Sequence, residues 1–236
     1  MTPATPHPPT PHPVLLSDAR IARIPVVDRG EDLVRVAAAG CLSVGEAIPV
    51  PPADGVAPPA ARVHDLLRRE VARRLALAAA TLPDQVRLHL VEGYRPPEVQ
   101  AALYEAHRRR LLADLPGIDV AESHVLASRF VAPPSVAAHP SGAAVDVTLV
   151  DAGGRPLDMG TAIDATPEDS GGACYLDASG ISALARANRR LLAASLRTAG
   201  FVNYPTEWWH WSYGDRYRAF VTRTPTALRR PRADAQ

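Results

Sequence analysis

The stretch "HPSGAAVDVTLVD", residues 139–151, joins a turn to the clearest strand in the chain. The Pro-Ser-Gly sequence at 140–142 predicts a turn that bends the chain after His139. Side chains alternate between the two faces of a strand, so Asp146 lies opposite a row of valines and a leucine. The stretch therefore predicts a strand with one apolar face for the core, and a turn that lets His139 and Asp146 face one pocket.

The segments around this strand carry helix and strand patterns in a mixed order. Helical spacing of the apolar residues predicts three helices, over residues 62–82, 97–114 and 180–200. Alternation predicts a strand over residues 85–93, and two aromatic-rich runs predict an antiparallel pair over residues 201–205 and 207–214. The sequence shows no repeating βα unit and no Gly-rich phosphate loop. It therefore predicts an α+β fold.

Length and composition indicate one folded unit. With 236 residues, of which 47% are hydrophobic, the chain can bury one substantial core. We expect a single domain over residues 14–225. Residues 1–13 contain six prolines and cannot bury enough apolar surface to fold alone, so they are expected to be a disordered tail. Residues 226–236 are expected to be a flexible C-terminal tail.

Charge and hydropathy exclude several classes of partner. The 26 basic residues balance 25 acidic ones and form no long stripe, so no nucleic-acid partner is expected. No stretch reaches the roughly 20 apolar residues of a membrane span. The N-terminus lacks the basic start and long apolar run of a secretory signal, so a cytoplasmic location is expected. The two cysteines, Cys41 and Cys174, form no CxxC zinc or redox pair.

A second polar group stands in "EWWHW", residues 207–211. A catalytic zinc commonly takes three nitrogen or oxygen ligands and leaves a fourth position for water. His139, Asp146 and His210 would supply that set. Glu207 is expected in the turn before the strand that carries His210, because strand positions three apart point to opposite faces. There it would take a proton from the attacking water and return it to the leaving amine.

Simpler explanations stay open for each of these residues. A single histidine is more often a surface or hydrogen-bonded residue than a ligand, and H-x6-D or E-x-x-H alone is a weak pattern. Their combination in one chain, each beside turn and strand signals, favours a metal site. The protein's three tryptophans, Trp208, Trp209 and Trp211, are expected to wall that site, exclude water and strengthen its electrostatics.

Four motifs in order carry a resemblance to a known family. They are "EGYRP" at 92–96, "HPSGAAVD" at 139–146, "MGTAID" at 159–164 and "EWWHW" at 207–211. The chain resembles the zinc-dependent D-alanyl-D-alanine dipeptidases, VanX-type enzymes within the wider D,D-peptidase and Hedgehog-like fold. The resemblance runs from about Val63 to Tyr217 and implies a central antiparallel sheet flanked by helices.

The resemblance implies one zinc ion per chain, held by His139, Asp146 and His210, with Glu207 as general base and acid. It further implies that Arg95 stabilises the oxyanion of the tetrahedral intermediate, and that Asp164 holds the free amino group of a small dipeptide substrate. Alone, Arg95 would be interpreted as a surface ion-pair residue and Asp164 as a loop residue that bonds its own backbone.

The implied activity is hydrolysis of D-alanyl-D-alanine, or a closely related dipeptide, to free amino acids. Two alternatives stay open: a cell-wall D,D- or L,D-carboxypeptidase or endopeptidase of the same fold, and a catalytically silent zinc-binding module. One departure concerns substrate preference. The family usually has Ser two residues before its first zinc ligand, and here that residue is Ala137. Backbone N–H groups, Ser135 or Ser141 are candidates to hold the substrate carboxylate instead.

Overall fold

The computed structural model describes residues 13–28, 30–38, 40–45 and 63–228. The helices are α1 (Ala19–Ala22), α2 (Arg69–Ala79), α3 (Pro97–Asp114), α4 (Val120–Ala127), α5 (Ala183–Thr198) and α6 (Arg216–Val221). The strands are β1 (Leu33–Arg35), β2 (Leu42–Val44), β3 (Leu66–Arg68), β4 (Val86–Glu92), β5 (Ala144–Asp151), β6 (Val202–Asn203) and β7 (His210–Ser212). Nearly all of the two predicted tails, residues 1–13 and 226–236, lies outside the described residues.

Five strands form the central sheet, in the order β2-β4-β5-β7-β6. Neighbouring strands are antiparallel except for β2, which runs parallel to β4 at one edge. Strands β1 and β3 form a separate antiparallel pair. The prediction of an α+β fold with a central antiparallel sheet is confirmed, and the parallel edge strand adds to it.

The main core lies against one face of the central sheet. Strand β5 is buried from its first residue to its seventh. Its Val145 and Val147 join a cluster that includes Leu75 of α2 and Leu192 of α5. Fully burying a Val or Leu side chain contributes about 1.5–3 kcal/mol. Because strand side chains alternate, Asp146 lies on the other face, away from this cluster.

The helix predicted over residues 62–82 begins later than expected. Residues 66–68 form β3, and α2 begins only at Arg69. Strand β3 pairs with β1, and the backbone N–H of Arg68 donates to the carbonyl of Gly142 at 3.0 Å. Its Nε also donates to the carbonyl of Ser141 at 2.8 Å. These long-range bonds override the helical spacing of the leucines.

The other predicted elements form close to their predicted bounds. Helix α3 begins at Pro97, where the missing N–H of proline removes no intrahelical bond. Helix α5 begins after Ser182, whose hydroxyl accepts from the backbone N–H of Ala185 at 2.9 Å, and Gly200 follows its end with φ +85°. Helices α1, α4 and α6 were not predicted. None of the helices in the described ranges is long and apolar enough to cross a bilayer.

Candidate active site

Asp146 lies at the centre of the candidate site, on the middle strand of the sheet. In the register of the sheet it stands opposite Glu92 of β4 on one side and His210 of β7 on the other. A bulge between Leu90 and Glu92 sets this register. Residues directly opposite one another on neighbouring strands share a face. Strand pairing therefore aligns two carboxylates and an imidazole across three strands.

His139 reaches the same face from the turn before β5. A 3-10 turn, His139–Ser141, is closed by Gly142, whose φ of +66° is left-handed. The Nδ1 of His139 donates to the backbone carbonyl of Gly93 at 2.6 Å. This bond fixes the ring and leaves Nε2 as the atom that can act as a ligand.

The predicted ligand atoms lie at metal-binding distances from one another. His139 Nε2 and His210 Nδ1 are 3.2 Å apart. The Asp146 carboxylate lies 3.3 Å from His139 Nε2 and 3.0 Å from His210 Nδ1. Zinc bonds of about 2.0–2.2 Å in a tetrahedral arrangement separate ligand atoms by roughly 3.3 Å. The two imidazoles and one carboxylate therefore fit a zinc ion with an open fourth position.

The electrostatics of this cluster keep Asp146 ionised. Burial alone would raise the pKa of Asp146, but the charges and hydrogen bonds of His139 and His210 hold it well below its usual range. Burial alone would lower the pKa of His139, and the carboxylate of Asp146 raises it above its usual value instead. A divalent cation held by these ligands would take over the pairing with the Asp146 carboxylate.

Glu207 lies in the turn between β6 and β7, as the sequence predicts. Its side chain is buried, and Oε2 is 3.8 Å from Nδ1 of His210. Burial, with the nearby charges of Asp146 and Asp164, raises the pKa of Glu207 well above its usual value, while Arg95 opposes the shift. A carboxylate whose pKa is raised is a stronger base than an ordinary one, which suits it to proton transfer.

Asn203 holds the turn between Glu207 and His210, and the sequence analysis did not identify it. Its side-chain Nδ2 donates to the backbone carbonyl of Glu207 at 2.8 Å and to that of His210 at 2.9 Å. The spacing of the acid and the imidazole is thus fixed from the neighbouring strand β6. No local pattern marks this asparagine, because its partners are backbone groups.

Arg95 and Asp164 were implied as site residues only by the resemblance. Both line the same cavity as the metal-type cluster, which consists of His139, Asp146 and His210. Arg95 lies between β4 and α3 and forms an ion pair with Glu92. Asp164 lies in the loop between β5 and α5, in a left-handed conformation with φ +63°. Burial, followed by the charges of Asp146 and Glu92, raises the pKa of Asp164 to about 6.

The loop that carries Asp164 is anchored by a buried arginine that the sequence analysis did not identify. Arg189 of α5 donates to the backbone carbonyls of Met159, Tyr175 and Ala173 at 2.7, 2.6 and 2.9 Å. Satisfying three carbonyls of irregular chain with one buried guanidinium fixes the loop against α5.

The three tryptophans do not all wall the site. Among them only Trp209 lines the cavity. Trp208 donates its indole N–H to the hydroxyl of Thr161 at 2.9 Å, in the loop that carries Asp164. Trp211 donates to the backbone carbonyl of Trp208 at 3.1 Å within the main core. Trp208 and Trp211 therefore pack in the main core and do not contact the cavity. Trp211 does so because neighbouring strand residues point to opposite faces, so it lies opposite His210.

The two serines considered as substitutes for the family serine do not line the cavity. Neither Ser135 nor Ser141 is among the described residues that line it. Ser141 is buried and donates its hydroxyl to the carbonyl of Ala138 at 2.6 Å. Ala137 is itself buried and brings no polar side-chain atom to this segment.

The cavity has a volume of about 540 Å³ and extends beyond the polar residues of the site. Its polar end holds Glu92, Arg95, His139, Asp146, Asp164, Glu207 and His210. Its other wall is mostly one face of α3 together with the segment after α4: Gln100, Leu103, Ala106, His107, Arg110, Phe130 and Val131. A concave, largely apolar space with a few convergent polar groups is typical of a small-molecule site.

The site combines three possible metal ligands with an adjacent buried acid and an arginine. This arrangement on an α+β fold is typical of a metallopeptidase. The family model described as D-ala-D-ala dipeptidase matches residues 55–226. The chain belongs to this family.

Individual relatives are similar to this chain to different extents. A D-alanyl-D-alanine dipeptidase of Synechocystis sp. is 30% identical over 226 residues, which cover 84% of this chain and 87% of the relative. One of Escherichia coli is 31% identical over 125 residues, 53% of this chain and 54% of the relative. A crystal structure of a vancomycin-resistance D,D-pentapeptidase VanY in complex with Zn(II) superposes with a TM-score of 0.40 and 19% identity, over 69% of this chain and 82% of that chain.

Proposed function

We propose that this chain is a zinc-dependent dipeptidase that hydrolyses D-alanyl-D-alanine, or a closely related dipeptide, to free amino acids. Membership of the D-ala-D-ala dipeptidase family supports the reaction. The observation that carries the proposal is the convergence of His139, Asp146 and His210 beside a buried Glu207. In this proposal the first three residues hold one zinc ion.

The protein's own groups would divide the work of the reaction. Zinc in such a site polarises the attacking water and the scissile carbonyl. Glu207 would accept the proton of the water and deliver it to the leaving amine, which its high pKa favours. Arg95 would donate to the carbonyl oxygen as negative charge develops there. Asp164 would pair with the free ammonium group of the substrate and so select short peptides.

Metal analysis coupled to an amino-acid release assay tests this function. The purified protein should hold one zinc ion per chain and release D-alanine from D-Ala-D-Ala faster than from the isomers that contain L-alanine. The Glu207→Ala variant should keep its zinc and lose about 10²–10⁴-fold in kcat, the usual contribution of general acid–base catalysis. Near-normal turnover in that variant would rule out the assigned role of Glu207.

A second candidate, a carboxypeptidase that acts on longer peptides, is favoured by the length of the cavity. Its wall follows α3 from Gln100 to Arg110, a rise of about 15 Å. An extended dipeptide spans only about 7 Å. An assay that compares D-Ala-D-Ala with an N-acylated tripeptide separates the two functions, because Asp164 would favour a free ammonium group.

The single domain over residues 14–225 and the cytoplasmic location stay predictions.

A further inference from the structure

Side chains hold the guanidinium group of Arg95 through all three of its nitrogen atoms. Nε donates to Oε1 of Glu92 at 2.8 Å, and Nη2 donates to Oε2 of the same carboxylate. Nη1 donates to Oε1 of Gln100 at 2.9 Å. A bidentate arginine–carboxylate pair fixes the plane of both groups, because the two parallel bonds allow one relative orientation.

Gln100 is itself fixed from its other side. It is buried in the first turns of α3, and its Nε2 donates to the backbone carbonyl of Ala132 at 2.8 Å. The amide must therefore present its oxygen, not its nitrogen, to Arg95. The chain from Ala132 through Gln100 to Arg95 links the segment after α4 to the reacting end of the cavity.

These contacts leave a defined set of donors for a ligand. Arginine carries one N–H on Nε and two on each Nη. Glu92 and Gln100 use the Nε donor and one donor on each Nη, and Arg95 makes no other side-chain hydrogen bond to the described residues. One N–H on Nη1 and one on Nη2 therefore remain for a ligand. The Arg95 side chain lines the cavity beside Asp146 and Glu207.

We propose that Glu92 and Gln100 are positioning residues, which lock the Arg95 guanidinium so that its two remaining N–H groups meet the substrate oxygen that becomes negative. The inference rests on the proposed dipeptidase function and extends it to two residues that nothing else assigns. Donors fixed before the reaction need no reorganisation when charge develops, and misplacement by about 1 Å can cost 10²-fold in rate.

Single and double variants test whether Glu92 acts through Arg95. Glu92→Gln and Gln100→Met should each lower kcat about 10- to 100-fold, with KM changed less than about threefold. In the double variant Glu92→Gln/Arg95→Ala, kcat should equal that of Arg95→Ala alone, because the positioning residue has nothing left to position. If the two losses multiply, Glu92 acts independently of Arg95 and the inference is wrong.

Chemical rescue provides a second test, because a general loss of stability would not make kcat recover when guanidinium ion is added. Guanidinium ion added to Arg95→Ala should restore part of the lost kcat, since the Glu92 carboxylate and the Gln100 oxygen still form a cation site. The same ion should restore nothing in Glu92→Gln/Arg95→Ala. Equal rescue of both proteins would show that Glu92 does not hold the guanidinium and would overturn the inference.

Glu98 provides a matched control on the same helix. It is exposed in the first turn of α3 and does not line the cavity. Glu98→Gln removes the same charge and should keep normal kcat and KM. Zinc content and the melting temperature of every variant identify any that fail to fold. If Glu92→Gln is one of these, Glu92→Asp, which keeps the carboxylate but shortens its reach, replaces it in the same comparison with Arg95→Ala. A wild-type protein that cleaves no dipeptide contradicts the proposed function instead, so the two failures are distinguishable.

Discussion

The environment of Asp164 is unfavourable for the ionised form of its carboxyl group. This residue adopts a left-handed backbone conformation with φ +63°, which aspartate tolerates better than most other non-glycine residues. Its carboxyl group shares the cavity with four other acids, Glu92, Asp146, Asp169 and Glu207. Burial and two of these charges raise its pKa to about 6. The positive charge of a substrate ammonium group would offset both the repulsion by these acids and the cost of burying the Asp164 carboxylate.

The proposed role of Asp164 predicts a pH-dependent KM. Only the ionised carboxylate pairs with an ammonium group, and a pKa raised to about 6 means that this form is lost as the pH falls below that value. A bound cation offsets the charge of Asp146, so the transition in the zinc-loaded enzyme should lie at or somewhat below pH 6. We expect KM for D-Ala-D-Ala to rise up to tenfold per pH unit below the transition.

The Asp164→Asn variant supplies the control for that profile. Loss of a hydrogen bond to a charged group costs about 1.5–3 kcal/mol, so KM should rise about 10- to 100-fold and show no transition near pH 6. N-acetylated D-Ala-D-Ala, which has no ammonium group, should be an equally poor substrate for both proteins. A variant with unchanged KM for the free dipeptide would refute the assignment of Asp164.

At the scale of elements, the site depends on the short turn that delivers His139 to β5. Gly142 closes this turn with φ +66°. A Cβ at this position would lie 2.4 Å from Cδ2 of Leu33 and 3.2 Å from the backbone nitrogen of Arg68. The turn is therefore packed against β1 and β3. Because the same turn carries His139, these two strands help to fix the position of one ligand of the metal-type cluster.

A Gly142→Ala substitution should reduce both stability and zinc affinity. The left-handed conformation costs about 1–2 kcal/mol for alanine, and the contact with Leu33 adds to it, giving about 2–4 kcal/mol in the free energy of unfolding. Gly154→Ala is the matched control, because its φ is +82° and nothing lies within 4 Å of the added Cβ. It should lose only about 1–2 kcal/mol and keep normal zinc affinity. Chemical denaturation and zinc titration of both variants measure the difference.

The turn and strand patterns predicted the elements that carry the site, but not those that support it. The strand with Asp146, the turn with His139 and the placement of Glu207 before β7 follow from alternation and from proline and glycine positions. Arg95 and Asp164 needed family motifs, since an isolated arginine or loop aspartate has no local signature. Asn203 bonds two backbone carbonyls across a turn, and Gln100 bonds the carbonyl of Ala132, 32 residues further along the chain. No local pattern encodes either set of bonds.

For the whole molecule, the sequence predicted the α+β class but not the N-terminal part of the architecture. Strands β1, β2 and β3 are three residues each, too short for a clear alternation. Strand β1 exists through its pairing with β3, and β2 through its parallel pairing with β4. Such non-local pairs depend on the completed fold. For the same reason, the leucines of β3 were assigned to a helix on their spacing alone.

The proposed metal site joins three separate parts of this fold, so zinc should stabilise the whole domain. His139 comes from a turn, Asp146 from the central strand and His210 from β7. Because the three groups come together only in the folded state, free zinc at 100 times its Kd should add about 2.7 kcal/mol to the free energy of unfolding. For a chain of this size that corresponds to roughly 5–10 °C in Tm. Removal of zinc by a chelator should reverse the shift, and Asp146→Asn should abolish it; calorimetry that shows the same Tm with and without zinc in the wild-type protein would contradict the proposed ligand set.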